Sequence, residues 1–336
     1  VSPDAIWYGQ GPVARLFAAL LAPLGWLYCG IAGARAFAYR RRWLAVQDTG
    51  APVIVIGNLT VGGTGKTPLV IWLVEHLRRR GLRPGVVLRG YGGEPARTPR
   101  LVDGAADPRR DGDEPVLIAV RARCPVVVGQ DRVAAARMLV ANHGCDLVVA
   151  DDGLQHYRLQ RDCEILVIDG QRQLGNRRCL PSGPLREPPA RARRADLTIV
   201  NGGDASGRWA MQLQPGDAVN LYHVQQSRPL VDFADGLVSA VAGIGNPARF
   251  FDMLRALGLD IVPRRYPDHH RYTPQDVGSW PEGPVLMTEK DAVKCRSMAT
   301  PSHWYVPVQA LPDAGFTAAL DALLNRLLAA RATRLS

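Results

Sequence analysis

Lys66 and Thr67 close a glycine-rich run, Gly62-Gly63-Thr64-Gly65, which follows the β-branched stretch Val53-Ile54-Val55-Ile56. The stretch reads as a buried strand and Leu69 to Arg80 as a helix, so the glycines sit at a strand-to-helix junction. Backbone N–H groups at such a junction can curl around phosphate oxygens, and the helix N-terminus adds partial positive charge. In that reading Gly62, Gly63, Thr64 and Gly65 form the cradle, Lys66 reaches the β- and γ-phosphates and the Thr67 hydroxyl meets Mg²⁺. The strict pattern G-x-x-x-x-G-K-[ST] is broken once, by Thr60 at its first position. A glycine-rich turn that merely joins a strand to a helix is the alternative, and the placement of Gly-Lys-Thr at the junction argues against it. Only three of the 41 Lys and Arg residues are lysines, namely Lys66, Lys290 and Lys294. A lysine kept against that bias is expected to be needed as a lysine.

Carboxylates come next. Asp146 to Ala150 reads as an apolar strand that ends in Asp151-Asp152-Gly153. A strand beside the phosphate loop that delivers an Asp towards Mg²⁺ or its water is the Walker-B arrangement. Two adjacent carboxylates are costly unless a cation shares the site. Gln155 and His156 follow and are candidates to orient phosphate or substrate, although a lone loop histidine is more often structural. Asp113-Glu114 opens a helix, where capping and dipole stabilisation compete evenly with catalysis. Arg89 stands at the end of a second short strand, in the turn Arg89-Gly90-Tyr91-Gly92-Gly93; it either neutralises a phosphate or is solvated. Pro267-Asp268-His269-His270 reads as a loop whose histidine can act as a general base or hold one. No Cys or His with ligand spacing lies near it, so zinc is not expected. Thr288-Glu289-Lys290-Asp291 ends a further strand in a turn that suits contact with a nucleoside, by Thr288, Lys290 and Asp291.

The elements that must position these groups alternate strand and helix, which points to an α/β fold with a P-loop-like core and a second, smaller α/β unit. Three segments are expected: an apolar helical segment over 1–45, the phosphate-loop domain over 46–225 and the smaller domain over 226–336. Leu16 to Ala34 carries no charge and, as one helix, would measure about 28 Å, close to a bilayer core. Pro23, Gly25, Gly30 and Gly33 argue against a straight span. Trp7, Tyr8, Trp26, Tyr28 and Trp43 suit an interface, so an interfacial anchor is the leading reading, ahead of a true span or a buried hairpin. Arg40 to Arg42 favours a cytoplasmic leaflet. The net charge of +10 asks for an anionic partner. No aromatic–basic recognition module accompanies it, so nucleic acid is not expected. Six cysteines without a C-x-x-C pair suggest neither a zinc site nor a disulfide framework, which fits a reducing compartment. Phe316, Leu320, Leu323, Leu324, Leu327 and Leu328 make a core-facing stripe on a terminal helix.

Taken together, Val55 to Thr67, Arg89-Gly90-Tyr91-Gly92, Gly112-Asp113-Glu114-Pro115, Asp151 to His156, Leu180 to Pro188, Pro267-Asp268-His269 and Thr288 to Asp291 resemble the tetraacyldisaccharide 4′-kinase family of lipid A biosynthesis. The resemblance runs in order from about residue 50 to 295, and it includes that family's Thr at the first position of the phosphate loop. It implies transfer of the ATP γ-phosphate to the 4′-hydroxyl of a lipid A disaccharide precursor. It implies a monotopic or peripheral enzyme, expected to be a monomer, on the cytoplasmic face of the inner membrane of a Gram-negative bacterium. It implies that Asp113 pairs with His269 to activate the sugar hydroxyl, with Lys66 beside them on the phosphates. Glu114, Asp151 and Asp152, with Thr67, would manage Mg²⁺ and its waters. Asn58, Arg89, Gln155, His156, Arg186 and Glu187 are the candidate contacts to the anionic acceptor. Three rivals remain at this point: a P-loop kinase of a soluble metabolite, a membrane-associated nucleotide switch, and a nucleic-acid binder suggested by charge alone.

Overall fold

The computed structural model describes residues 2–203, 205 and 207–335. Three helices open the chain: α1 (Pro3–Tyr8), α2 (Pro12–Leu20) and α3 (Ala22–Arg40). The phosphate-loop unit follows as β1 (Val53–Gly57), α4 (Lys66–Arg79), β2 (Pro84–Leu88), β3 (Arg100–Val102), α5 (Pro108–Asp111), α6 (Asp113–Ala122), β4 (Val126–Val128), α7 (Arg132–His143), β5 (Leu147–Asp151), β6 (Cys163–Asp169), β7 (Leu197–Asn201) and β8 (Trp209–Pro215). A second unit contains β9 (Ala218–Asn220), β10 (Ser227–Arg228), β11 (Leu237–Ala242), α8 (Pro247–Ala256), β12 (Asp260–Arg265), α9 (Pro274–Gly278), β13 (Val285–Thr288), α10 (Glu289–Cys295) and β14 (His303–Val306). The chain ends in β15 (Val308–Pro312) and α11 (Ala314–Leu335).

β1, β2, β5 and β6 are buried along their whole length. That is why they read as unbroken apolar runs: helices cover both faces of a parallel sheet. The nine-stranded sheet runs β15-β8-β7-β6-β1-β5-β2-β4-β3. Its parallel centre is flanked by β3 and β15, which pair antiparallel to β4 and β8. β1 lies between β5 and β6, with Ile56 level with Asp151. The phosphate loop therefore leaves the sheet beside the paired carboxylates. The second sheet runs β10-β9-β14-β13-β11-β12, with β11 parallel to both β12 and β13.

The sheets depart from the expected division at residue 225. β9 already belongs to the second sheet, and β15 returns to the first. β14 and β15 are separated by Pro307 alone, and the Gly216 N–H donates to the Pro307 carbonyl at 2.8 Å, so the two crossings lie side by side. Phe316, Leu320, Leu323 and Leu324 of α11 join the core that holds Ile54, Leu69 and Leu73. The stripe on the terminal helix is core, as read, but the core of the first unit. The fold therefore has 308–335 returning to the phosphate-loop unit.

The N-terminal apolar segment is not one helix. Pro23, in the first turn of α3, ends the preceding run, and α2 and α3 meet at a bend of 56°. No single helix among the described residues is long and apolar enough to cross a membrane, while the bent pair passes by length and composition. The small residues Ala14, Ala18, Ala22 and Gly25 face the protein. Leu16, Leu20, Leu24, Trp26, Leu27 and Ile31 are left exposed, Trp26 to 73%. The contact is close: a Cβ on Gly25 would stand 2.9 Å from the Ser182 Cβ, and Ser182 Oγ and Arg178 Nη1 both donate to the Ala18 carbonyl. The helix pair thus rests on the loop that carries Arg186.

Candidate active site

The phosphate loop is built as its sequence demands. Gly62 and Gly65 have φ of +109° and +87°, in the left-handed region that favours glycine. At Gly65 there is also no room, since a Cβ would lie 2.3 Å from Asn201 Nδ2. That amide donates to the Thr64 carbonyl and braces the loop from β7. Lys66 and Thr67 open α4. Lys66 Nζ donates to Asn58 Oδ1 at 3.0 Å and lies 3.5 Å from Asp152 Oδ1. Asp152 Oδ2 accepts from Arg186 Nη1 at 2.8 Å. Burial alone would raise the Asp152 carboxyl, but Lys66 and Arg186 outweigh it and hold it well below the usual range.

Asp151 is the opposite case. Its side chain is buried, Oδ1 has no hydrogen-bond partner, and burial together with the Glu114 charge pushes it up to about 7. A buried, unpartnered carboxylate oxygen beside a second carboxylate is what a divalent cation would relieve. Among the described residues no three His, Cys, Asp or Glu side chains converge as a metal cage. The oxygen donors of Asp151 and Thr67 suit Mg²⁺ held together with phosphates and water, with Glu114 and Asp152, engaged by Lys290 and by Lys66 and Arg186, beside it.

Asp113 and His269 meet across the two units. His269 Nδ1 lies 3.0 and 3.1 Å from the two Asp113 carboxylate oxygens. Asp113 is buried at the start of α6, where its Oδ1 also accepts from the Glu114 N–H. Burial would raise its carboxyl; the His269 hydrogen bond and the Lys290 and Lys294 charges bring it below the ordinary value. His269 has φ of +59°, a conformation an L residue adopts at a cost and one that recurs at functional sites. Lys290 Nζ stands 3.1 Å from Asp268 Oδ1, 3.2 Å from Glu114 Oε1 and 3.3 Å from His269 Nε2. Burial disfavours its charge, but Glu114, Asp113 and Asp268 more than offset this and raise it. An ammonium only donates. Nε2 is therefore assigned as the acceptor, and the ring proton sits on Nδ1, shared with Asp113.

Several expected roles change. Thr288 and Asp291 are turned inward: Thr288 Oγ1 and the Gly243 N–H donate to Asp291 Oδ2, and Tyr272 donates to Oδ1. Asp291 is fully buried, so its acceptors are spent on the fold and none is left for a base. Lys290 is drawn to Glu114, Asp268 and His269. Asn58 uses its amide on the Thr60 and Gly62 carbonyls and its oxygen on Lys66, so it braces the phosphate loop. Glu187 is buried and accepts from Tyr157 and Gln155, with Arg191 at 3.6 Å. His156 has Arg132, Arg161, Asp131 and Arg35 as its charged neighbours, none of them in the cluster. Arg89 is exposed and makes no hydrogen bond or ion pair among the described residues. Arg186 is brought to Asp152. Residues given no role in the site from sequence are Asp268, Lys294, Asn201 and Gly245. The scarcity of lysine was a signal for Lys294, which lies 3.7 Å from Asp113 Oδ2. Gly245 faces the phosphate loop, its Cα 3.8 Å from a Cβ built on Gly63.

A phosphate loop, a paired-carboxylate strand end and a buried carboxylate–imidazole pair fit a P-loop phosphotransferase, with His269 brought to the site by the second unit. Residues 17–325 match the model of one family, described as tetraacyldisaccharide-1-P 4′-kinase. The chain belongs to that family. It is similar to tetraacyldisaccharide 4′-kinases of Nitrosococcus oceani (48% identical over 322 residues, 95% of this chain and 93% of the relative) and Stenotrophomonas maltophilia (49% over 331 residues, 96% of each). It also matches the crystal structure of LpxK from Aquifex aeolicus in complex with ATP, with a TM-score of 0.76 and 26% identity over 92% of this chain and 99% of that one.

Proposed function

We propose that Asp113 and His269 take the proton from the acceptor in the reaction that family membership gives this chain, the ATP-dependent phosphorylation of the 4′-hydroxyl of a tetraacyldisaccharide 1-phosphate. The observation that carries the assignment is the 3.0 Å contact between two side chains that lie 156 positions apart. A free sugar hydroxyl is a poor nucleophile. In a loose transfer its proton becomes acidic only as the new P–O bond forms, so a modest base placed on it suffices. Asp113 is that base and its carboxylate takes the proton: His269 Nδ1–H stays on it and orients it, and Lys290 fixes the ring from Nε2. Lys66, tethered by Asn58 and Asp152, would carry the charge of the transferred phosphate, and Arg186 would hold Asp152 in place. Mg²⁺, when bound by Thr67 with Asp151, Asp152 and Glu114, supplies charge neutralisation on the β- and γ-phosphates.

The acceptor is a lipid, and the exposed apolar side of α2 and α3 suits insertion into a membrane surface. Arg40 and the neighbouring Arg41 and Arg42 add attraction to anionic lipid, so two signals act together. ATP is a cytoplasmic solute, so an enzyme seated in this way would work on the cytoplasmic face, as a monomer. The test is transfer from γ-labelled ATP to a tetraacylated disaccharide 1-phosphate in detergent micelles, beside a deacylated soluble analogue. Transfer to the lipid that Asp113→Ala abolishes supports the reading. No transfer by protein that binds ATP would refute it, and equal transfer to the soluble analogue would refute the membrane orientation.

A further inference from the structure

A cavity of about 550 Å³ lies between the two units, on the side of α5, α6 and α10, with Asp113 and His269 in its wall. Its size falls within the roughly 300–1,000 Å³ of small-molecule sites. Three arginines from three different segments line it: Arg109, Arg271 and Arg296. None has a carboxylate partner among the described residues. Arg271 Nη2 donates to the Gly92 carbonyl at 3.1 Å and Arg296 Nη1 to the Gly104 carbonyl at 3.3 Å, while the Arg109 side chain makes no bond. Lys294 adds a fourth cation. Its side chain is 91% buried, and Nζ lies 2.9 Å from Asp291 Oδ1 without being aligned as a hydrogen-bond donor to any group. Asp107 is the one other carboxylate in the lining, and its Oδ1 already accepts from the Arg109 N–H. Val116 and Val293 give the wall an apolar part, which suits the faces of a sugar ring.

Three arginines without a carboxylate partner, beside a Lys294 already paired with Asp291 and a cavity wall whose Asp113 is held by His269, leave an excess of positive charge that suits an anion, and guanidinium forks match phosphate oxygens in pairs. We propose that this cavity receives the disaccharide of the acceptor and that Arg109, Arg271 and Arg296 bind its far phosphate, the one on carbon 1, while the 4′-hydroxyl rests on Asp113. The inference depends on the kinase reading above, since that reading supplies an acceptor with a phosphate at the end remote from the reacting hydroxyl. The arginines would act as a ruler: they fix which end of a nearly symmetric disaccharide faces the base. Because they sit on the rim and not on the phosphate loop, they select the acceptor without touching ATP.

The test compares kcat/KM on the tetraacyl disaccharide 1-phosphate with kcat/KM on the same lipid lacking its 1-phosphate, both in micelles. Wild-type protein should prefer the phosphorylated acceptor. In the double variant Arg271→Ala/Arg296→Ala that preference should fall at least tenfold, mainly through KM, and the double Arg→Lys variant should recover part of it. Turnover of the acceptor without phosphate reports whether the variant is folded. A wild-type enzyme indifferent to the 1-phosphate would overturn the proposal. So would a variant that loses equally on both acceptors, or that keeps its preference. Wild-type protein that phosphorylates neither lipid would instead sink the kinase reading and the proposal with it.

Discussion

Asp113 and His269 should behave as one catalytic unit, and a double-mutant cycle reads this directly. The two side chains share a hydrogen bond at 3.0 Å, and Asp113 is 97% buried, so neither can be replaced by water in the other's absence. Loss of a positioned base costs about 10²–10⁴ in rate, or about 3–5.5 kcal/mol of barrier. Asp113→Asn keeps the shape but removes the charge. His269→Ala removes the group that orients Asp113 and leaves Lys294 at 3.7 Å as its near cation. If the pair acts as a unit, each single variant loses most of the effect and the double variant loses little more, so the coupling energy is about as large as either single loss. Single-turnover transfer from γ-labelled ATP to the lipid acceptor measures it. ATP affinity by calorimetry should stay within about threefold in all three variants, because the pair contacts no phosphate-loop residue, whereas Lys66→Ala should weaken it. His269→Ala also removes a charge-assisted bond worth about 1.5–3 kcal/mol, so its melting temperature should drop by a few degrees without loss of ATP binding. Losses that multiply, or ATP binding that fails alike in the Asp113, His269 and Lys66 variants, would refute the assignment.

Gly65→Ala should raise the ATP dissociation constant at least tenfold: the left-handed backbone costs about 1–2 kcal/mol for an L side chain, and the new Cβ meets Asn201 Nδ2 at 2.3 Å; calorimetry checks it, and unchanged affinity contradicts the cradle. Trp26→Ser with Ile31→Ser should lower partitioning onto anionic vesicles at least tenfold while leaving the melting temperature in place, since both side chains are mostly exposed and each is worth about 1.5–3 kcal/mol when buried; co-sedimentation reads the first and calorimetry the second. Burial, with Arg132 and Arg161 nearby, pulls His156 from its ordinary 6.5 down to about 4. The unfolded chain then takes the proton first as pH falls, so this contribution is whole above about 6.5 and declines towards 4. Wild type should therefore lose stability relative to His156→Leu between pH 7 and 5, and parallel urea midpoints across that range would exclude it. Leu320→Ala, at a fully buried position of α11, should cost about 2–5 kcal/mol in the unit that contains the phosphate loop and weaken ATP binding with it, as urea unfolding followed by nucleotide binding would show.

What the sequence disclosed and what it hid divide along a physical line. The phosphate loop was legible because one local segment holds all its parts: glycines for positive φ, a buried strand before it, a helix after it. Asp151-Asp152 was legible for the same reason, a strand that ends in acids beside it. The seam between the units was not, because its contacts join residues far apart in the chain and no periodicity marks them. Asp113 reads equally as a helix cap until His269 is placed on it. Thr288 and Asp291 read as a base-contacting turn until Tyr272 and Gly243 are seen to claim the carboxylate. The stripe on α11 told that the helix is buried on one side, but an amphipathic pattern carries no information about which sheet it covers. The clue that did cross this gap was compositional. All three lysines converge on the site, Lys66 at the phosphate loop and Lys290 and Lys294 on the Asp113–His269 pair. A compact ammonium can sit among two or three carboxylates at once, as Lys290 does with Glu114 and Asp268, where the wide planar fork of an arginine would force them apart. In a chain that otherwise uses arginine, that geometric demand explains why these positions carry lysine.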